Sequence, residues 1–200
     1  MIRIDYYMTP MSPWTYLGAD RFMMLAVSAQ ADVKVIPTDF SVVFPATGGL
    51  PLPKRAPARQ AYRMQELKRW RDYLGIDIVL EPQHFPCKTP MASLLLVAAR
   101  SFNANTLPFA NALGAALWRD DRDIDDEEVL AEIALENRLA PEPLFERARQ
   151  PEIAEEFAAD AQKALEAGVF GAPSYVVDGE IFWGQDRLDL LAWRLGVEWE

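Results

Sequence analysis

Residues 2–18, IRIDYYMTPMSPWTYLG, carry two structural instructions in succession. Ile2, Ile4, Tyr6 and Tyr7 are β-branched or aromatic, and such side chains fit a pleated, half-buried surface better than a helix. Thr9-Pro10-Met11 then breaks the run, and Ser12 stands directly before Pro13. A serine hydroxyl accepts from the free amides of a first helical turn, and proline at the first helical position gives up only an N–H that has no partner there. The stretch predicts a strand, a short loop and a helix that begins just after Ser12. Free amides and the positive end of the helix dipole converge at such a start, so Ser12 is both an ordinary cap and a candidate anion-site residue.

Working outward, the first helix is expected to run to about Gln30. Val33 to Phe40 alternates well enough for a second strand, which a right-handed crossover would place parallel to the first. Phe44 to Pro57, with Gly48, Gly49, Pro51 and Pro53, reads as an irregular connection out of the first unit. From Ala58 the apolar period is helical, with Ala61, Met64, Leu67, Trp70 and Leu74 on one face, Arg55, Arg59 and Arg63 on another, and Gly75 as the stop. Ile76 to Leu80 is expected to be a short extended segment, followed by an irregular loop from Glu81 to Thr89. Thr89 and Pro90 open an apolar, buried helix, and another spans Thr106 to Trp118. Asp125, with Glu128 three residues on, is expected to cap the next helix. Pro141 and Pro151 each open one more, the second ending at Gly168.

Strand chemistry returns near the end. Asp178-Gly179, between Val169–Val177 and Glu180–Trp183, is a two-residue hairpin signal. Gly184-Gln185-Asp186 then leads a last helix to Gly196. The predicted order is β-α-β, a helical block, then β-β-α. Residues 1–50 and 168–200 are expected to form one unit and 51–167 an inserted helical domain.

Composition narrows the function classes. With 200 residues, half of them apolar, the chain can bury a sizeable core. It has neither a long apolar run nor the basic, apolar and small-residue series of a secretion signal, so a cytoplasmic protein with no membrane partner is expected. One cysteine, Cys87, and one histidine, His84, exclude an internal disulfide and a zinc cluster, and no metal is expected. A net charge of −10 argues against nucleic acid. The charge is uneven: residues 119–160 hold fifteen Asp and Glu against five Arg, whereas residues 54–71 hold seven Lys and Arg against Glu66 alone. That basic run is either plain solvated helix or a local field that draws an anion.

The β-α-β and β-β-α order resembles an α/β thioredoxin fold, and Gly171-Ala172-Pro173-Ser174 resembles that fold's cis-proline turn. With a large all-helical insertion the resemblance is DsbA-like. Where that branch carries Cys-x-x-Cys this chain has Ser12-Pro13-Trp14-Thr15, which removes dithiol redox chemistry. Ser12 in this setting, with Gly168-Val169-Phe170-Gly171-Ala172-Pro173 and Phe182-Trp183-Gly184-Gln185-Asp186-Arg187-Leu188, resembles the family of 2-hydroxychromene-2-carboxylate isomerases and kappa-class glutathione transferases.

The resemblance implies a glutathione-dependent isomerase acting on an aromatic carboxylate through reversible thiolate addition. Its alternatives are a kappa-like transferase that conjugates other electrophiles and a non-catalytic thioredoxin-fold binding protein. Ser12 would hold the glutathione thiolate, Ala172 and Pro173 its backbone, and Trp183, Gly184, Gln185 and Asp186 its γ-glutamyl end. Lys54, Arg55 and Gln83 are the candidates for the substrate, with Trp14, Phe44 and Phe85 as walls, and a homodimer is implied. At the loop after Leu80, isomerases of the family commonly carry an Asn-containing segment, whereas this chain has Gln83-His84-Phe85-Pro86-Cys87-Lys88. His84 reads as an acid–base group or an exposed loop residue, and Cys87 as an inert small side chain or a reactive thiol.

Overall fold

The computed structural model describes residues 2–199. Strand β1 (Arg3–Met8) pairs in parallel with β2 (Asp32–Pro37) and antiparallel with β3 (Ser174–Val177); β3 also pairs antiparallel with β4 (Glu180–Trp183). The resulting sheet order is β2-β1-β3-β4, the mixed four-stranded arrangement expected of the DsbA-like fold. Helix α1 (Pro13–Ser28) connects β1 to β2. Tyr6 and Tyr175 face each other across β1 and β3 with rings stacked at 5.2 Å, and Phe22 of α1 tilts against both at 4.6 and 4.5 Å. These rings anchor α1 to the sheet, which fixes the position of its N-terminus. Asp178 and Gly179 both take left-handed backbone angles, as a two-residue hairpin turn requires.

Between β2 and β3 lie α2 (Phe40–Thr47), a 3-10 turn (Leu52–Lys54), α3 (Pro57–Leu74), α4 (Met91–Ser101), α5 (Thr106–Trp118), α6 (Glu127–Glu136), α7 (Pro141–Ala148) and α8 (Pro151–Glu166). A 3-10 turn (Gln185–Arg187) and α9 (Leu188–Leu195) close the chain. Helix α4 is buried along most of its length, and α8 packs on α2, α4 and β2. Among the described residues no helix is long and apolar enough to cross a membrane.

Four local features differ from the sequence-based expectation. The second strand stops at Pro37 rather than Phe40, because Asp39 turns the chain and its carboxylate accepts from the Ser41 amide at 2.9 Å, capping α2. The first part of the presumed irregular connection is therefore helical, Pro45 included, and the loop begins only at Gly48. Ile76 to Leu80 forms no strand; Val79 donates instead to the Trp118 carbonyl at 2.6 Å. Asp126, not Asp125, caps α6 by accepting from the Glu128 amide at 2.8 Å.

Asp125 has another task. It accepts from the Lys88 amide and from the Thr89 amide and hydroxyl at 3.0 and 2.8 Å, pinning the loop that leads into α4. Asp121 accepts from the Gln83 amide at 2.7 Å, and Asp123 lies 3.3 Å from the His84 imidazole. Part of the acidic segment thus holds one loop in place.

Candidate active site

Ser12 ends the loop after β1 and caps α1 in extended backbone geometry, its hydroxyl oxygen accepting from the Thr15 amide at 3.2 Å. The same hydroxyl points its proton at the Ala172 carbonyl, 3.5 Å away. That second bond is long, so the proton is weakly held and available to a stronger acceptor. Beside it the Trp14 N–H meets no acceptor among the described residues. The buried Thr15 hydroxyl is likewise without a partner. A proton donor, a free amide and a helix N-terminus on one side of a half-buried residue suit a small, polarisable anion.

Across from Ser12 the Ala172–Pro173 peptide bond is cis, as the sequence led one to expect, and the Pro173 carbonyl accepts from the Gly184 amide at 2.9 Å. Trp183 ends β4 half exposed and lies edge-on to Phe170 at 4.6 Å. Its indole nitrogen occupies the space a Cβ on Gly171 would fill, at 2.4 Å from that position, so only glycine allows this stacking. Gly184 has a positive φ of 105°, and a Cβ there would lie 2.3 Å from the Asp186 carboxylate. The turn therefore folds Asp186 back over its own backbone, while Arg187 pairs with it at 3.1 Å.

Gln185 is buried, and its side-chain oxygen accepts from Arg21 of α1 at 2.8 Å. A Cβ on Gly18 would lie 2.8 Å from that of Gln185, so α1 and this turn touch directly. The helix that presents Ser12 is thereby packed and hydrogen-bonded to the turn that presents Asp186. The Ser12 hydroxyl meets the Ala172 carbonyl, the Pro173 carbonyl meets the Gly184 amide and Asp186 folds back on Gly184, so residues distant in sequence are linked pairwise. Trp183 stands half exposed beside them, and Pro173 and Gln185 are buried. Arg21, Gly18 and Thr15 were not singled out from the sequence. Thr15 occupies the last position of the Ser12–Thr15 tetrapeptide, which was its one signal.

The substrate candidates are more scattered. Lys54 is exposed in the 3-10 turn, and Gln83 is exposed with only its amide engaged, by Asp121. Arg55 is half-buried, its guanidinium over the Phe44 ring at 5.9 Å and its Nε donating to the Leu50 carbonyl at 2.8 Å. Phe85 packs on Trp118 at 5.1 Å. His84 has a partner the sequence did not reveal, Asp123. Cys87 is half-buried, and its thiol is pushed up to about 12 by burial and by Asp125 and Asp123. It stays protonated at neutral pH, in line with the inert reading.

The DSBA-like thioredoxin domain profile matches residues 3–196. A 2-hydroxychromene-2-carboxylate isomerase of Sphingobium xenophagum is 28% identical over 189 residues, covering 94% of this chain and 95% of that protein. Glutathione S-transferase kappa 1 of Caenorhabditis elegans is 26% identical over 205 residues, covering 95% and 89%. Among solved structures, a 2-hydroxychromene-2-carboxylate isomerase superposes with a TM-score of 0.81 at 22% identity, over 98% of this chain and 95% of the other.

Proposed function

The chain belongs to the DSBA-like thioredoxin domain family, and from that premise we propose that it is a glutathione-dependent isomerase of a 2-hydroxychromene-2-carboxylate type of substrate. Similarity to both an isomerase and a kappa glutathione transferase across nearly the whole chain supports this reading. The observation that carries it is the Ser12 hydroxyl. It sits at a helix N-terminus, 3.5 Å from the carbonyl of the residue preceding the cis-proline, at the position where a redox relative would hold a thiol.

Glutathione fits the donors present. An ordinary thiol titrates near ~8.5, so little thiolate exists at neutral pH without help. The Ser12 hydroxyl, only weakly bound to Ala172, would be free to donate to a bound thiolate, and the Trp14 amide and the α1 dipole would act in the same direction. Each unit of lowering corresponds to about 1.4 kcal/mol, well within reach of one hydroxyl and a helix terminus. Ser12 positions the nucleophile and does not attack. Ala172, beside Pro173, offers backbone groups to the peptide, as in strand addition. Trp183, Gly184, Gln185 and Asp186 would hold the γ-glutamyl end, the Asp186 carboxylate suiting its ammonium and backbone amides of the turn its carboxylate, with buried Gln185 acting through the turn it fixes to Arg21.

Bound glutathione would supply a thiolate that adds to the conjugated substrate, permits rotation about the former double bond and leaves again, unconsumed. The protein's part would be to hold that anion and the substrate together. Trp14, Phe44 and Phe85 would provide flat apolar walls, and Lys54, Arg55 and Gln83 are candidate contacts for the substrate's polar groups. The reading includes a cytoplasmic homodimer.

Isothermal titration with glutathione tests the proposal. Saturable binding at or below millimolar ligand is expected, and no binding there overturns it. Product analysis separates the two catalytic outcomes: unchanged free glutathione after turnover marks isomerisation, and its loss into a thioether marks conjugation.

A further inference from the structure

The basic run 54–71 contains cations of two kinds. Its one carboxylate, Glu66, is taken by Arg69, and Arg71 pairs with Asp72 at 2.8 Å. Arg55 and Arg63 pair with no carboxylate among the described residues, although the chain has 30 acidic side chains against 20 basic ones. Both are half-buried and both lie on aromatic rings, Arg55 over Phe44 and Arg63 over Phe85, each at 5.9 Å from the ring centre. The other contact of Arg63 is the Met64 sulfur at 3.6 Å, a weak acceptor. Withdrawing a cation from water without an anion is costly, and that cost falls when an anion arrives.

Their surroundings accentuate the deficit. Burial lowers the pKa of both guanidinium groups; Arg55 lowers that of Arg63 further, and Arg59 that of Arg55. Apart from the bond of Arg55 Nε to the Leu50 carbonyl and that of Arg63 to the Met64 sulfur, neither guanidinium has a hydrogen-bond acceptor among the described residues, and a planar guanidinium with donors to spare is suited to a carboxylate. Phe85 is itself fixed, against Trp118 and within the loop that Asp121 and Asp125 pin at Gln83, Lys88 and Thr89. Phe44, under Arg55, packs on the same apolar cluster as Ala172.

We propose that Arg63, working with Arg55, is the anchor that selects a carboxylate on a planar conjugated substrate. The inference rests on the isomerase reading and deepens it, because it moves the specificity determinant from Lys54 and Gln83 to a half-buried arginine of α3. A neutral substrate of the same shape leaves both cations unsatisfied and is rejected.

The test is fluorescence titration of the intact protein with 2-naphthoate and with 2-naphthamide, each with and without glutathione. The parent protein is expected to bind the carboxylate roughly tenfold or more tighter than the amide, since charge-assisted bonds exceed neutral ones by about that factor. Arg63→Gln is expected to remove the preference while leaving naphthamide and glutathione affinities within about twofold, and Arg63→Lys to restore part of it. Equal affinity of the parent for both probes, or a preference that survives in Arg63→Gln, overturns the proposal. Should Arg63→Gln fail to fold, Arg55→Gln is expected to weaken the preference, and an undiminished preference there is equally contrary. The titration without glutathione reads the carboxylate preference by itself, so this result and the glutathione titration fail independently.

Discussion

Arg100 and Arg63 are both half-buried arginines on helices of the same block, and the protein treats them in opposite ways. Arg100 of α4 donates to the Val35 carbonyl at 3.1 Å and to Glu156 and Asp160 of α8 at 2.6 Å each. Asp160 is fully buried and is also met by Lys163 at 3.0 Å. The cation is neutralised within the fold, and it ties two helices to the edge strand β2. Arg63 has an aromatic ring and a thioether in place of carboxylates. With acidic residues in excess over the whole chain, a shortage of carboxylates does not account for the difference. A buried cation matched by the fold is structural, whereas one left unmatched is open to a ligand.

The largest expected effect breaks the matched side. Asp160→Ala takes the buried carboxylate from Arg100, which keeps Glu156 and the Val35 carbonyl, and is expected to cost about 1.5–3 kcal/mol in denaturant unfolding. Arg63→Gln loses only a cation–ring contact and is expected to change the same measurement by less than about 1 kcal/mol. If the two substitutions cost the same, the contrast between the arginines collapses.

A smaller effect is expected where α1 meets the last turn. In Gly18→Ala the new methyl would meet Gln185, and overpacking of this kind costs about 1–3 kcal/mol unless the neighbour moves. The turn that carries Asp186 shifts, and glutathione affinity measured by calorimetry is expected to fall about tenfold. Unchanged affinity would remove that turn from the site.

The smallest effect concerns acid. Burial by itself would raise the Asp125 carboxyl, but bonds from the Lys88 amide and from the Thr89 hydroxyl and amide outweigh it and hold the pKa below the ordinary value. A group depressed in the folded state contributes stability above its unfolded pKa, near ~3.9, and loses it as pH falls through the lower folded value. Hydrogen exchange at the Lys88 and Thr89 amides is therefore expected to accelerate only below about pH 4. Asp125→Asn is expected to bring the faster exchange to neutral pH. Exchange rates unaffected by the substitution would show that the loop is held by other contacts.

The parts of this fold legible from sequence are those set by local chemistry. Ser12-Pro13 marked the start of α1, Asp178-Gly179 the hairpin, and Pro141 and Pro151 two helix starts, because cap, turn and proline act on immediate neighbours. The errors arose where two adjacent residues compete for one role. Asp125 and Asp126 are chemically equivalent as caps, and only the loop from Gln83 to Thr89, folded against them, assigns one to the loop and the other to α6. Asp39 could equally have lain in a strand, and the helix it caps contains a proline that reads as a breaker.

The residues proposed to face glutathione are marked in the sequence by motifs at the two ends of the chain. Arg21 was not, since its partner Gln185 is 164 positions away, nor was the matched state of Arg100, whose carboxylates are 56 and 60 positions distant. A stripe of arginines can be read from spacing, but which of them lacks an anion becomes visible only once the carboxylates are placed.

The central claim is that Ser12 holds a thiolate, and ultraviolet absorbance of the glutathione complex at neutral pH tests it directly. The parent protein is expected to show thiolate absorbance on binding. Ser12→Ala is expected to bind glutathione within a few-fold of the parent, as loss of one hydroxyl contact worth about 1 kcal/mol implies, yet to show no such absorbance. Equal thiolate absorbance in the two complexes would contradict the account and leave Ser12 a helix cap.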